Sequence, residues 1–299
     1  MSQLIECIPN FSEGRSRDVI DELVKIASSI PAVILVDHSS DVNHNRSVFT
    51  LVGAPGGIEE AAFALSKKAC ELIDLTKHSG EHPRMGAVDV IPFVPVRDST
   101  MKQCVEISRR VAERIGRELK IPVFLYEESA SAEGRRNLAA IRKGEFEGME
   151  NKLTLPEWAP DFGPKRPHPT AGVVAIGARA PLIAFNVNLS TSDLTIANKI
   201  AKIIRASGGG FKCCKAIGVM LESRNIAQVS MNMVNYEVTP LYRVFELIKI
   251  EAARYGVTVT GSELIGLSPA KALIDCSEYY LQIENFDFKK QVLENHLYI

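Results

Sequence analysis

The chain lacks the features that mark membrane, exported and nucleic-acid-binding proteins. None of its apolar runs approaches the ~20 residues that a membrane helix needs. Residues 1–6 have neither the basic start nor the apolar core of a signal peptide. The formal net charge is −1, so no general attraction to nucleic acid or to an anionic membrane is expected. These absences predict a cytoplasmic protein, with no nucleic acid and no membrane among its partners.

Cysteine is also used sparingly. The six cysteines are scattered without the spacing of a metal site or a disulfide scaffold, apart from one adjacent pair, Cys213 and Cys214. In a protein that is not exported they are expected to be reduced thiols. The 299 residues, of which 46% are hydrophobic, are enough for one or two sizeable cores of an ordinary globular protein.

The most informative segment that is present is H-S-G-E-H-P-R-M-G, residues 78–86. Histidine both takes and gives a proton near neutral pH, and a glycine-rich connection holds it where a substrate can reach it. His82 lies between Glu81 and Pro83, which restricts its backbone, so it suits a positioned general acid and base. His78 is interpreted as a loop residue that caps local backbone groups.

A metal site has to be considered, because His78 and His82 are four residues apart and would share one face of a helix. Gly80 is a poor residue for a helix interior, and Pro83 moves the residue before it out of the helical region. No cysteine or carboxylate cluster nearby completes a set of four ligands. We therefore expect no metal here.

The hydrophobic pattern divides the chain into two halves with the same order of elements. The first half is predicted as strand, helix, strand, strand, helix and strand over residues 4–9, 17–30, 32–37, 48–52, 58–73 and 88–96. A further helix over residues 101–119 and a strand over 122–126 extend this half. Pro92 and Pro95 favour an edge or irregular position for the strand 88–96.

The second half repeats the order over residues 181–189, 192–207, 216–221, 227–234, 240–255 and 258–265, and a helix over 269–280 closes the chain. This order is that of the split βαβ, or ferredoxin-like, unit. The predicted fold class is α+β. Two ferredoxin-like βαββαβ subdomains, residues 1–180 and 181–299, each have a mixed or antiparallel sheet with helices packed on it, and a cleft lies between them.

The polar, proline-rich stretch over residues 157–172 is interpreted as the bridge between the halves. Its second part, residues 163–172, combines several prolines with Lys165, Arg166 and His168. Proline stiffens a loop, so these cations lose little entropy when they meet an anion. A rigid linker with solvated charges explains the same pattern, and the residues alone leave both interpretations open.

Four segments together resemble the glutamate formiminotransferase family: E-C-I-P-N-F-S-E-G-R from residue 6, D-L-T-K-H-S-G-E-H-P-R-M-G from 74, E-W-A-P-D-F-G-P from 157 and I-A-F-N-V-N-L from 183. These matches are long, ordered and spread over much of the chain, so they are more specific than any short motif. In animals the family's domain is fused to a cyclodeaminase, and this chain resembles the stand-alone transferase.

The resemblance implies transfer of a formimino group between N-formimino-L-glutamate and tetrahydrofolate, in histidine degradation and one-carbon metabolism, by a homodimer. Tetrahydrofolate is then a co-substrate, and no metal is implied. His82 becomes the catalytic residue. The family's folate-binding piece corresponds to Gly163, Pro164, Lys165, Arg166, Pro167, His168, Pro169, Thr170, Ala171 and Gly172. Trp158 and Phe162 are candidates for an aromatic slot that holds the pteridine.

The chemistry requires an amine to attack an amidine carbon and a second amine to leave, and one histidine can move both protons. Both substrates carry carboxylates, so cations are expected in the site. Arg84 is a candidate carboxylate clamp, although a structural ion pair explains it equally. Glu81 is a candidate acceptor for the amidine N–H groups, and Asn45 and Arg46 are further candidates for substrate binding.

Two alternatives to this function stay open on the sequence. The first is an enzyme that transfers a formyl group to glutamate or converts 5-formyltetrahydrofolate, because it would use the same folate pocket. The second is a non-catalytic folate-binding sensor, because paired ferredoxin-like units also serve as regulatory modules and a fold alone does not decide function.

Overall fold

The computed structural model describes residues 3–296, and its contacts divide the chain after Arg179 into an N-terminal unit and a C-terminal unit. The elements of the N-terminal unit are β1 (Leu4–Cys7), β2 (Asn10–Phe11), α1 (Arg17–Ser29), β3 (Val33–Asp41), β4 (Arg46–Gly53), α2 (Pro55–Leu72), β5 (Val88–Arg97), α3 (Met101–Arg114), β6 (Val123–Glu127), α4 (Leu138–Arg142), α5 (Glu145–Lys152) and β7 (Val174–Ala178). A π-helical turn, Ile115–Leu119, continues α3.

Local signals explain where the main helices begin. The side chain of Ser16 accepts a hydrogen bond from Val19 N at the start of α1. Thr100 and Gln103 form a reciprocal capping box at the start of α3. At the start of α2, Pro55 supplies a residue that lacks an N–H and already has the helical φ.

The N-terminal unit contains one mixed sheet. β4 pairs with β3 on one side and with β1 and β2 on the other, and β1 and β2 also pair with β5, all antiparallel. This is the ferredoxin-like strand arrangement. Beyond β5 the sheet continues with β7 and then β6, both in parallel register. The predicted α+β class is confirmed.

The strand 88–96 is predicted to be an edge or irregular strand, and the structure shows the irregular alternative. The strand that contains Pro92 and Pro95 is not at an edge, since β5 lies between β1 and β2 on one side and β7 on the other. Proline lacks only the donor, and the Pro92 carbonyl still accepts from Ile8 N at 3.1 Å, where the neighbouring strand is interrupted between β1 and β2. The expected irregularity is present as register shifts beside Ile5 and Phe11.

Residues 157–172 are not a bridge between the units. β7 follows this segment and lies between β5 and β6, so the segment belongs to the N-terminal unit. Its first part is attached to β6: Phe162 O accepts from Val123 N at 2.9 Å, and the Asp161 carboxylate accepts from Leu125 N at 2.8 Å. The sequence analysis missed β7 because all five residues of this strand are buried. They show no alternation of apolar and polar residues by which a strand could be distinguished from a loop.

The two faces of this sheet are covered differently. One face carries α1, α2 and α3 over a core that includes Phe11, Phe49 and Phe93. A smaller cluster, which includes Val90, Phe124 and Ile141, packs α4 and α5 on part of the other face. Polar residues are therefore expected where the second face is left uncovered.

The C-terminal unit contains β8 (Ile183–Leu189), α6 (Leu194–Ile204), β9 (Cys214–Leu221), β10 (Ile226–Met233), α7 (Leu241–Ala253), β11 (Val259–Ile265), α8 (Ala270–Leu281) and the short α9 (Phe288–Gln291). The strand order is β11-β8-β10-β9, and every pair is antiparallel. The sheet therefore has the ferredoxin-like arrangement that the order of elements predicted. No helix within residues 3–296 is long and apolar enough to cross a membrane.

The close approach of Gly86 to the strand beside it gives a test of this packing. A Cβ at Gly86 would lie 1.9 Å from Val173 O and 2.6 Å from Val88 O, whereas a Cβ at Gly56 meets nothing within 4 Å. We expect Gly86→Ala to destabilise the protein by about 1–3 kcal/mol or more, because the backbone has to move. Gly56→Ala is the control and should leave the midpoint of thermal unfolding almost unchanged. Equal midpoints for the two variants would contradict the packing described here.

Candidate active site

Residues 78–86 form an irregular loop between a 3₁₀ turn, Leu75–Lys77, and β5. The loop lies against the turn that joins β3 to β4: Glu81 N donates to Asn43 O at 3.1 Å, and a Cβ at Gly80 would be 2.3 Å from His44 O. Glycine is needed at residue 80 because the two backbones approach so closely. His78 and His82 therefore do not share a helix face, as the positions of Gly80 and Pro83 predicted.

Both ring nitrogens of His78 are engaged. Arg84 Nε donates to His78 Nδ1 at 3.2 Å, so the proton of the neutral ring is on Nε2, which donates to Asn45 O at 2.9 Å. His78 thus fixes the loop to the hairpin turn, in agreement with its interpretation as a cap for local backbone groups.

Arg84 is held by two carboxylates of α5. Its Nη1 donates to Glu145 at 3.1 Å, and Nη1 and Nη2 together bind both oxygens of Glu147 at 2.8 and 2.5 Å. Only 8% of Arg84 is exposed. The structural ion pair, rather than the substrate clamp, is the interpretation that this geometry favours, since a bidentate pair leaves little of the guanidinium for a substrate.

The hydrogen bond of His82 defines its tautomer. His82 Nδ1 is 2.7 Å from the carbonyl oxygen of Pro83. A carbonyl oxygen only accepts, so Nδ1 carries the proton and, in the neutral ring, the lone pair is on Nε2. The side chain is half-buried, with the His44 ring edge-to-face at a centroid distance of 6.0 Å. Within residues 3–296 no hydrogen bond is made by Nε2, so His82 presents a basic nitrogen there.

A buried ionic group, which we call the Asp89 cluster, consists of Asp89, Arg46, Arg142 and Asn10. Asp89 is fully buried and accepts from Arg46 Nη1 at 3.0 Å, from Arg142 Nη2 at 2.6 Å and from Met85 N at 2.9 Å. Arg46 also donates to Asn10 Oδ1 at 2.8 Å through Nη2. The cluster therefore combines two guanidiniums with one carboxylate.

A β-bulge directs Asp89 into this cluster. Asn10 of β2 is paired with Val90 of β5, but the next residue, Phe11, is paired with Val88, so Asp89 is the additional residue on β5. Bulges of this kind re-aim a side chain and are frequent next to active sites. Asn10 and Phe11 point to opposite faces of the sheet, and Phe11 belongs to the core under α1 to α3. The Asp89 cluster consequently lies on the other face.

Burial, together with the charges of the cluster, determines the protonation of His82. Burial and then the positive charges of Arg46 and Arg142 lower the pKa of His82 to about 4, against the weaker opposing effect of Asp89. Burial alone would raise the pKa of Asp89, but the two guanidiniums outweigh it and keep that pKa below its usual value. His82 is therefore neutral at physiological pH and can accept a proton through Nε2.

The other predicted substrate-binding residues have different surroundings. Asn45 uses both ends of its amide, accepting from Gly14 N at 2.9 Å and donating to Ser79 O at 3.0 Å, so it holds the loops together. Glu81 is exposed beside His82. Arg46, unlike Asn45 and Glu81, is a member of the Asp89 cluster.

The predicted folate segment, residues 163–172, lies mostly elsewhere. Gly163 packs on Gly116 of the π-helical turn, and His168 Nε2 is 3.8 Å from Cys70 Sγ of α2. Because α2 covers the face that Phe11 points to, this part of the segment is on the opposite face of the sheet from the Asp89 cluster. Only its end turns back towards the loop, where Ala171 O accepts from Ala87 N at 3.0 Å and Gly86 bridges to Gly172.

Two shallow depressions adjoin this segment, with volumes of about 310 and 410 Å³. Lys120 and Pro164 line both, Phe162 lines the first, and Arg166 lines the second. Trp158 is not part of either lining. It packs edge-to-face on Phe124 at 6.3 Å, with Lys152 Nζ 3.9 Å from the centre of its ring.

Sequence reasoning missed Asp89 and Arg142. Asp89 carries a signal, because it is the only charged residue within the apolar stretch from Ala87 to Val94. Arg142 carries none, since it lies in a short helix that the periodicity did not indicate. Within residues 3–296 there is no group of three or more histidine, cysteine, aspartate and glutamate side chains that could hold a metal ion.

Two family models match this chain, the "Formiminotransferase domain, N-terminal subdomain" over residues 4–179 and the "Formiminotransferase domain" over residues 184–296. The chain belongs to the formiminotransferase family. It is 67% identical to a glutamate formimidoyltransferase of Streptococcus pyogenes serotype M1 over 297 residues, 99% of each chain. It is 49% identical to a glutamate formimidoyltransferase of Thermoplasma acidophilum, covering 95% of this chain and 94% of that one.

Fused relatives match as well. The chain is 45% identical to the formimidoyltransferase-cyclodeaminase of Sus scrofa over 291 residues, which are 95% of this chain and 54% of the longer protein.

The tautomer and the protonation state of His82 can be measured together by ¹⁵N and ¹H NMR. We expect a midpoint near pH 4, below the ordinary value of 6.5, because burial and two guanidiniums disfavour the charged ring. Above that midpoint the shifts should report a proton on Nδ1. The denatured protein is the control, where His82 should titrate near 6.5. A midpoint near 6.5 in the folded protein, or a proton on Nε2, would contradict this description of the site.

Proposed function

We propose that this chain is a glutamate formimidoyltransferase, which transfers the formimino group between N-formimino-L-glutamate and tetrahydrofolate. The family and the names of its relatives give the reaction class. The observation that carries the assignment of a catalytic centre is His82, which is neutral and half-buried and whose Nε2 forms no hydrogen bond with the described part of the chain. We assign His82 as the general acid and base.

The environment of His82 suits this reaction. Attack of an amine on the amidine carbon produces a tetrahedral adduct whose attacking nitrogen is positively charged and therefore acidic. His82 Nε2 takes that proton, and the Nε2–H then gives it to the nitrogen of glutamate as the C–N bond breaks. A histidine with a low pKa is a weak base but, once protonated, a strong acid. The adjacent guanidiniums thus favour protonation of the leaving nitrogen.

We further propose that residues 163–172 bind folate. The support is the family resemblance, the prolines that stiffen the segment and the lysine and arginine side chains around the two depressions, Lys120, Arg117 and Arg166. Folate carries carboxylates, which cations of this kind bind. Since Ala171 and Gly172 adjoin the loop that carries His82, that end of the segment is the part assigned nearest to the reacting atoms.

The remaining parts of the proposal rest on the resemblance and on the sequence. The N-terminal subdomain, residues 1–180, carries the catalytic histidine, and residues 181–299 form the C-terminal subdomain. The enzyme is a homodimer in the cytoplasm, catalysis needs no metal, and Glu81 is assigned as an acceptor for the amidine.

The choice between formimino and formyl donors tests the reaction. An amidine has an N–H and a positive charge where a formyl group has only an acceptor oxygen. A site that hydrogen-bonds such a group rejects an analogue without it by up to about 10⁴–10⁵. We expect kcat/KM for N-formimino-L-glutamate to exceed that for N-formyl-L-glutamate by several orders of magnitude, with tetrahydrofolate as acceptor. A preference for the formyl donor would identify a different reaction, and tetrahydrofolate binding without turnover of either donor would identify a sensor.

Replacement of His82 tests its role. His82→Ala should lower kcat by about 10²–10⁴, the usual contribution of a general acid and base, and should leave tetrahydrofolate binding and the unfolding midpoint nearly unchanged. His296→Ala is a matched control, because His296 is exposed and, among residues 3–296, its ring bonds only the Lys290 carbonyl. Near-normal turnover by His82→Ala would refute the assignment.

A further inference from the structure

The Asp89 cluster carries more positive than negative charge. Arg46 and Arg142 share one carboxylate, and within residues 3–296 neither arginine has a second acidic partner. The single negative charge of Asp89 is already shared, since Oδ2 accepts from both guanidiniums and Oδ1 accepts from Met85 N. Positive charge that is buried without a counterion is costly, so the cluster is suited to a second anion.

The two arginines differ in how fully they are bonded. Arg46 is 9% exposed, and its Nε, Nη1 and Nη2 all donate to Asn10 or Asp89. In the described part of the chain, Arg142 donates only through Nη2. Its Nε is buried without an acceptor, and Nη1 has no acceptor among residues 3–296 either. The unused hydrogen-bonding capacity of the cluster therefore belongs to Arg142.

The backbone that carries Arg142 is held firmly. Lys152 Nζ donates to the carbonyls of Ala140, Ile141 and Lys143 at 2.7, 2.6 and 3.1 Å, which satisfies the C-terminal end of α4. The Arg142 side chain is 14% exposed, so part of it is accessible from outside. A guanidinium that is placed in advance loses less entropy when it binds a carboxylate.

The protonation of His82 links Arg142 to the reacting atoms. After burial, the charges of Arg46 and Arg142 are the causes that lower the pKa of His82, so both guanidiniums lie within electrostatic reach of the imidazole. An anion on Arg142 therefore binds close to the base.

We propose that Arg142 binds a carboxylate of the glutamate-derived donor beside His82. The proposal rests on the proposed function. It also connects binding with catalysis, because a bound carboxylate offsets the positive charge around His82. The imidazole is then a stronger base when the donor is present than when the site is empty.

The test combines a variant with donors that lack one carboxylate. N-formimino-L-glutamate, N-formiminoglycine and N-formimino-4-aminobutyrate carry both carboxylates, only the α-carboxylate and only the distal carboxylate, respectively. Arg142→Gln should raise KM for N-formimino-L-glutamate by about 10–100-fold, since hydrogen bonds to charged groups are lost. KM for tetrahydrofolate should change by no more than about twofold. One of the two shortened donors lacks the carboxylate that Arg142 binds. For that donor, KM should be almost the same in Arg142→Gln as in the wild-type enzyme.

Controls separate this role from a structural one. Arg142→Lys keeps the positive charge beside Asp89 but lacks the Nε donor and the planar fork, so it should show most of the KM effect with a small effect on kcat. If Arg142→Gln does not fold, the lysine variant is compared across the three donors instead. Arg136→Gln removes an exposed arginine whose partner is Glu128, and it should change neither constant.

Equal losses with all three donors, or an effect confined to tetrahydrofolate, would overturn the proposal. Failure of the wild-type enzyme to use N-formimino-L-glutamate would instead refute the proposed function.

Discussion

The site depends on one buried carboxylate. Asp89 binds Arg46, which comes from β4, Arg142, which comes from α4, and the backbone of Met85, at the end of the loop that carries His82. Removal of the carboxylate would leave two guanidiniums buried without a counterion, at a cost of about 3–5 kcal/mol for a broken buried pair. The same carboxylate thus determines where the arginines lie and how much positive charge surrounds His82.

Most of the fold could be predicted, because the hydrophobic patterns of strands and helices, with periods of 2 and 3.6 residues, are local in the sequence. Each half also repeats one simple order of strands and helices. β7 could not, since five residues carry no usable period and their partners, Val90 and Val123, are far away in the sequence. The interior position of β5 was also missed. A proline in a strand indicates the loss of a backbone hydrogen-bond donor. It does not show that the neighbouring strand is interrupted opposite Pro92.

The candidate site was predictable only where its residues are neighbours in the chain. His82 and His78 could be distinguished from the glycine and proline positions around them. Arg84 could not be assigned, because its partner Glu147 is 63 residues further on. Arg142 is linked to Asp89 only through the fold, so no local pattern shows that the two meet.

The interior position of β7 has a consequence for synthesis on the ribosome. β6 is made some fifty residues before the strand that joins it to β5, and until then β5 has an unpaired edge and β6 pairs with no other strand. The N-terminal unit therefore cannot complete its sheet until Ala178 has left the ribosome, immediately before the C-terminal unit begins to emerge. Translation that stops inside residues 157–172 would yield a chain in which β5 keeps an open edge and β6 pairs with no other strand, and such open edges invite pairing with other chains.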